Sequence, residues 1–146
     1  MEANANIVVI DDNPGDIELL RMALESAGVE CTLNVLDNGR DAMEFVQRLG
    51  QFSGVSAPDL VVLDLNLPGN DGVEILQALR SGGAFPDVTV VVLSSSSSPR
   101  EQLRVASLRV KRFIIKPPDL DAFMKIGVTL GELLAQKRGD EAAAGG

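Results

Sequence analysis

Asp64 closes the apolar run Leu60 to Leu63 and is followed by the turn-forming stretch Leu67-Pro68-Gly69-Asn70-Asp71-Gly72. A carboxylate at that place is carried to the carboxyl edge of a strand, where open α/β sheets bind their ligands. A second acidic group has the same address: the stretch Asn6 to Ile10 ends on Asp11-Asp12, and Asn13-Pro14 then opens a helix. If the two strands are neighbours, the carboxylates of Asp11, Asp12 and Asp64 converge. At ~4 Å and an effective dielectric near 20, each like-charge pair costs about 4 kcal/mol, so the trio needs a cation or a raised pKa. Oxygen donors with no histidine in the chain and no thiol nearby select a hard ion, Mg²⁺ ahead of a transition metal. Two further strand ends carry polar groups, Ser94 after Val88 to Leu93 and Lys116 after Val110 to Ile115. A carboxylate nucleophile, a carboxylate-held cation, an ammonium and a hydroxyl are the parts needed to accept and hold a phosphoryl group, with Asp64 as the acceptor.

Strand-like and helix-like patterns alternate along the chain, which predicts a doubly wound parallel sheet built from five βα units. A helix from Pro14 to Ala27 carries Ile17, Leu20, Leu24 and Ala27 on one stripe, and Gly28 stops it. The strand around 30 to 36 points Cys31, Leu33 and Val35 inward. Asp37-Asn38-Gly39 then turns the chain into a helix burying Ala42, Phe45, Val46 and Leu49, and Gly50 to Pro58 reads as a loop. The helix after Asp64 buries Val73, Leu76 and Leu79 and ends at Ser81-Gly82-Gly83. Val88 to Leu93 is apolar throughout, as a central strand covered on both faces should be. Ser98-Pro99-Arg100-Glu101 reads as a capping box. Asp119 caps a last helix bearing Leu120, Phe123, Gly127, Leu130 and Leu134. Right-handed crossovers would point all the strand ends to one edge, so Asp11, Asp12, Asp64, Ser94 and Lys116 can meet.

Each of these groups also has a plainer reading. Asp and Ser are common helix caps, a lone lysine is most often a solvated charge, and a run of serines such as Ser94 to Ser98 is most often a linker. Compatible chemistry at four separate strand ends is hard to obtain by capping alone, and no helix needs Asp64 or Lys116 to be charged.

The 146 residues, 45% of them hydrophobic, fit one domain with its own core. A net charge of −8 argues against a nucleic-acid or anionic-membrane partner. The single cysteine, Cys31, cannot pair within the chain and suits a reducing cytoplasm. With no basic segment at the start and only short apolar runs, the chain is expected to be soluble and unprocessed.

Over roughly residues 6 to 137 the chain resembles the receiver domain of two-component response regulators. The matching residues are the acidic pair Asp11-Asp12, the Asp-x-x-x-Pro-x-x-Asp-Gly segment from Asp64 to Gly72, Ser94 after the fourth strand, and Lys116-Pro117 after the fifth. The separations, 30 residues from Asp64 to Ser94 and 22 from Ser94 to Lys116, are similar to the family's. Asp-Asp-Asn-Pro-Gly-Asp with Ile-Glu-Leu-Leu, and Leu-Asp-Leu-Asn-Leu-Pro, look most like the single-domain regulators that serve bacterial phytochrome kinases.

The resemblance implies a flavodoxin-like (βα)5 fold with strand order 2-1-3-4-5 and a receiver domain over residues 1–138, while the Asp-Glu-Ala-Ala-Ala-Gly-Gly sequence after Gly139 reads as a disordered tail over 139–146. It implies that Asp64 is the phosphoacceptor and that Asp12, Asp64 and the carbonyl of Asn66 hold Mg²⁺, with Asp11 reaching it partly through water. Lys116 would bind a phosphoryl oxygen, the Ser95 amide would donate to the phosphoryl group, and Ser94 with Phe113 would form the switch. The implied partners are a sensor histidine kinase, such as a bacteriophytochrome, a downstream target or phosphotransfer protein, and a second copy through the fourth helix, fifth strand and fifth helix. Leu108-Arg109-Val110-Lys111 departs from the small Gly-Ala pair usual before the fifth strand, and Phe113 lacks the polar tip of Tyr or His.

Other functions stay open on residues alone. A haloacid-dehalogenase-like phosphatase shares the Asp nucleophile, Ser, Lys and acidic pair, but it needs a second Asp where Asn66 stands, and an amide cannot be a general acid. A flavodoxin-like carrier would use the serine run as a phosphate loop, yet the chain has no Trp or Tyr to stack a flavin. A receiver that only docks is the third.

Overall fold

Apolar, β-branched stretches separated by turn residues pair into a parallel sheet of five strands: β1 (Ala5–Ile10), β2 (Cys31–Leu36), β3 (Leu60–Leu63), β4 (Val90–Ser94) and β5 (Arg112–Ile115). The spatial order is 2-1-3-4-5, the doubly wound arrangement the alternation predicts. The computed structural model describes residues 4–67, 69–82, 84–96 and 98–145. Pro68 of the turn, Gly83 of the helix stop, Ser97 of the serine run and Gly146 of the tail lie outside the described residues.

Every residue of β3 and β4 is buried, and alternate side chains of the central strands feed two separate cores. Ile7, Val9, Val62 and Leu93 face α1 (Pro14–Ser26) and α5 (Leu120–Gly145). Val8, Ile10, Leu63 and Val92 face α2 (Gly39–Gln47), α3 (Gly72–Arg80) and α4 (Pro99–Val105). Side-chain caps start the helices where the sequence has Asn or Asp. Asn13 accepts from the Asp16 N–H, Asn38 from Asp41, Asp71 from Val73 and Asp119 from Ala122.

At Gly127 the two helices of one face almost touch. A Cβ there would lie 2.0 Å from the Ala23 carbonyl oxygen, so only glycine permits the approach. Gly72 does the same at the head of α3, where a Cβ would sit 2.5 Å from Leu65 Cα and 2.9 Å from the Asp64 carbonyl. That contact holds the turn after β3, which folds into a short antiparallel ladder of Asn66–Leu67 on Asn70–Asp71.

Several local expectations are corrected. Val35, expected inward, is 37% exposed, because β2 is an edge strand with a neighbour on one side only. Leu49 leaves the buried face of α2, since Arg48 turns left-handed (φ 54°) and ends the helix before it. The loop after α2 contains a turn of 3₁₀ helix, Gly50–Phe52, whose Phe52 ring meets Phe45 edge-on at 5.9 Å. The capping box at Ser98 is not formed: its hydroxyl caps nothing, and its N–H donates to Ser96 Oγ (3.2 Å) instead of to Glu101. The fifth strand starts at Arg112, after a left-handed Arg109 (φ 58°). α5 continues through Gly145, where a disordered tail over 139–146 was expected; the Asp-Glu-Ala-Ala-Ala sequence is rich in the strongest helix former.

Candidate functional site

The carboxyl ends of β1, β3, β4 and β5 meet at one edge because the sheet is parallel and its central strands stop in near register. Asp64 leaves β3 with its N–H on the Ile10 carbonyl (2.8 Å), which seats it beside the end of β1, where Asp11 follows. Lys116 leaves β5 with its N–H on the Ser94 carbonyl (2.7 Å), which brings the fifth strand end to the fourth. Among the described residues, Asp11, Asp64 and Ser94 are the buried polar ones, at 3%, 5% and 0% exposure. One carboxylate oxygen from each of Asp11, Asp12 and Asp64 lies within 4.8 Å of the others, and Asp12 is the least buried of the three.

Lys116 reaches into this cluster. Its Nζ stands 2.8 Å from Asp64 Oδ2, 3.1 Å from Asp11 Oδ2 and 2.7 Å from Asp16 Oδ2. The other Asp64 oxygen accepts the Asn66 N–H at 2.9 Å, and Asp11 Oδ1 accepts the Asn13 N–H at 2.9 Å. Burial, above all, pushes the Asp11 carboxyl above the ordinary carboxylate range; the Asn13 N–H and Lys116 pull the other way without cancelling it. Burial also opposes the Lys116 ammonium, but the hydrogen bonds to Asp16 and Asp64 and the charge of Asp11 outweigh it and hold the lysine well above its usual value.

An open depression of about 460 Å³ lies over the cluster, lined by Asp12, Asn13, Asp16, Asp64, Asn66, Ser95 and Lys116 among others. Ser94 is placed differently from Ser95. It is wholly buried, its Oγ accepts the Ser96 N–H at 3.1 Å, and Asn66 Nδ2 stands 3.5 Å away at the outer limit of a hydrogen bond. Phe113 is half-buried and packs on the α2–α4 core; it pairs with Val92, one side-chain step from Ser94 on the same face of the sheet. Asp11, Asp12, Asp64, Asn66, Ser95 and Lys116 are therefore gathered, with Ser94 and Phe113 behind them.

Three groups escaped the sequence reading. Asp16 looks like an ordinary acid in the first turn of a helix, where it also suits the dipole. Arg104 of α4 bonds Asp71, the cap of α3, and so ties the fourth helix to the turn after Asp64. Arg80 donates to the carbonyls of Pro86, Val88, Leu108 and Arg109, which braces the unusual Leu108-Arg109 connection. Pairs so far apart in sequence leave no periodic signal. An acid four residues beyond Asp12 at a helix N-terminus is the one hint that could have drawn attention to Asp16.

The donor set is all oxygen and carries excess negative charge, which fits a hard divalent cation. A family model described as "Response regulator receiver domain" matches residues 7–126. Response regulator Rcp1 of Synechocystis sp. PCC 6803 is 29% identical over 120 residues, 82% of this chain and 82% of the relative. The phosphorylated cyanobacterial phytochrome response regulator RcpA superposes with a TM-score of 0.83 at 32% identity, covering 91% of this chain and 95% of that one. The Mn²⁺-bound form of Rcp1 gives 0.77 at 28% identity, over 84% and 88% of the two chains. Among the described residues, no helix is long and apolar enough to cross a membrane.

Proposed function

Because the chain belongs to the response regulator receiver domain family, we propose that Asp64 accepts a phosphoryl group from a histidine kinase in a Mg²⁺-dependent reaction and thereby changes the proteins it binds. The observation that carries this is Asp64 itself. It is 5% exposed, 2.8 Å from the Lys116 ammonium, and shares its site with the Asp11-Asp12 pair. An aspartate held so faces the open depression through which a phosphoryl donor can approach.

In the reaction an Asp64 oxygen attacks phosphorus, the P–N bond of the phosphohistidine breaks, and the departing imidazole keeps the electron pair and takes up a proton. Asp11, Asp12, Asp64 and the Asn66 carbonyl would hold the cation, whose chemistry is to neutralise charge gathering on the phosphoryl oxygens. Lys116, already on Asp64, passes to a phosphoryl oxygen with little movement. The Ser95 amide donates from the rim. The Ser94 hydroxyl uses its oxygen for the Ser96 N–H, so its proton is free for a phosphoryl acceptor, and a shift of Ser94 opens room toward Phe113. Asn66 at the rim cannot deliver or remove a proton, so the acyl phosphate persists as a signal, and the domain catalyses no reaction beyond its own phosphorylation and slow hydrolysis.

The Mn²⁺-bound relative supports a divalent ion in this site. The likeness to phytochrome response regulators supports a photoreceptor histidine kinase as donor in the cytoplasm. Incubation with radiolabelled acetyl phosphate and Mg²⁺ tests the reading: the unaltered protein takes up label and Asp64→Asn does not. Equal labelling of the Asn variant would reject Asp64 as the acceptor.

A further inference from the structure

Asp16 shares the Lys116 ammonium, yet it is not one of the carboxylates grouped for a metal among the described residues. The carboxylates that converge on a cation position are Asp11, Asp12 and Asp64. Of the three oxygens on Nζ, those of Asp11 and Asp64 are the ones a metal ion and a phosphoryl group would claim. The third, Asp16 Oδ2 at 2.7 Å, lies outside the group of carboxylates that converge on the cation position. We infer that Asp16 is a positioning residue that anchors Lys116 throughout phosphorylation, keeping the ammonium aimed at the phosphoryl group after its other two partners have been taken.

The local structure makes Asp16 a rigid anchor. Asp11 Oδ1 accepts the Asn13 N–H (2.9 Å), Asn13 Oδ1 accepts the Asp16 N–H (3.1 Å), and Asp16 Oδ2 accepts from Lys116 Nζ, which returns to Asp11 Oδ2 at 3.1 Å. The closed ring of bonds fixes the start of α1 against the end of β5. Gly15 leaves the ring its space, since a Cβ there would stand 3.2 Å from Asn13 Oδ1. The Asp16 side chain is 23% exposed and that of Lys116 10%, so water competes weakly for the contact.

The inference rests on the phosphoacceptor reading, and two measurements separate them. In the first, the ¹H–¹⁵N signal of the Lys116 ammonium is recorded in the protein as isolated and after loading with Mg²⁺ and beryllofluoride. An anchored ammonium gives a slowly exchanging signal that survives loading; in Asp16→Ala it is lost, most completely in the loaded protein. An unchanged signal in Asp16→Ala would overturn the anchor whether or not the protein is ever phosphorylated. In the second, acetyl-phosphate labelling rates are compared for the unaltered protein, Asp16→Ala, Lys116→Ala and the double variant, with folding checked by circular dichroism. Asp16→Ala slows labelling on the order of tenfold, equivalent to about 1.4 kcal/mol, and adds nothing once Lys116 is gone. The same slowing in both backgrounds would mean that Asp16 acts by bulk charge and not through Lys116. No labelling of the unaltered chain would count against the phosphoacceptor reading, while the ammonium signal still decides Asp16.

Discussion

Residues of one chemical type do different work in this pocket according to what each touches. Asp64 and Asp11 are both buried and both meet Lys116, but only Asp64 closes the sheet strand beneath the open depression, whereas Asp11 turns back to the Asn13 amide. For Asp11 the balance falls against ionisation. Its folded pKa is raised above the ordinary 3.8, so it contributes stability when protonated and loses that contribution as pH rises through the raised value. Ionising Asp11 in the metal-free protein therefore costs stability. Asp11→Asn should raise the metal-free Tm at pH 7, where ~1 kcal/mol corresponds to ~2–4 °C. The gain should shrink as pH falls toward 3.8, and the Mg²⁺-dependent rise in Tm should weaken. Thermal melts across pH, with and without Mg²⁺, decide this; a lower Tm in the metal-free variant would contradict it.

The elements hold these residues through close backbone approaches and cross-element bonds. α1 delivers Asn13 and Asp16 while α5 packs against it, and their distance is set where Gly127 meets the Ala23 carbonyl. Gly127→Ala should cost at least ~1–3 kcal/mol, because the added methyl displaces backbone and not a flexible side chain. Gly139→Ala, further along the same helix with nothing within 4 Å, should be stabilising by up to ~1 kcal/mol. Denaturant unfolding of the two variants makes the comparison, and equal losses would mean that helix propensity and not packing controls α5. α4 is tethered differently, through Arg104 on the Asp71 cap, so a change in the turn after Asp64 is mechanically linked to the fourth helix. The small Gly-Ala pair missing before β5 is replaced by a left-handed Arg109 and the four carbonyl contacts of Arg80.

At the scale of the whole molecule, a divalent cation bound at the carboxyl edge would compete with one ammonium for the same acids. The chain carries a net charge of −8, and its carboxyl edge concentrates part of that charge around Lys116. Removing one partner of a buried ion pair costs about 3–5 kcal/mol, so Lys116→Ala should lower the metal-free stability by an amount of that order. Mg²⁺ should then restore more stability to the variant than it adds to the unaltered protein, since a ligand at 100 times its Kd contributes ~2.7 kcal/mol and the vacated carboxylates bind it more tightly. Calorimetric melts over a Mg²⁺ series would show it; an equal Mg²⁺ increment in the two proteins would mean that Lys116 and the ion do not share their acids. The same variant should still bind the ion, be labelled at least as slowly as Asp16→Ala, and fail to change shape afterwards.

The alternation of apolar runs and turn residues by itself determined the five strands, their helices and the ends on which Asp11, Asp12, Asp64, Ser94 and Lys116 sit, because a parallel sheet sends all its carboxyl ends to one edge. The local cap at Asp119 was legible because both partners lie within three residues, whereas the box read at Ser98 does not form. Only the tertiary structure decided that Asp16 joins Lys116 across 100 residues, that Arg104 holds Asp71, that Ser94 lies buried while Ser95 reaches the rim, and that Val35 and Leu49 face outward. Those outcomes depend on which strand lies at an edge and how closely two helices approach. Periodicity names a residue's face on its own element, and the neighbour that covers that face is chosen by the packing of the whole chain.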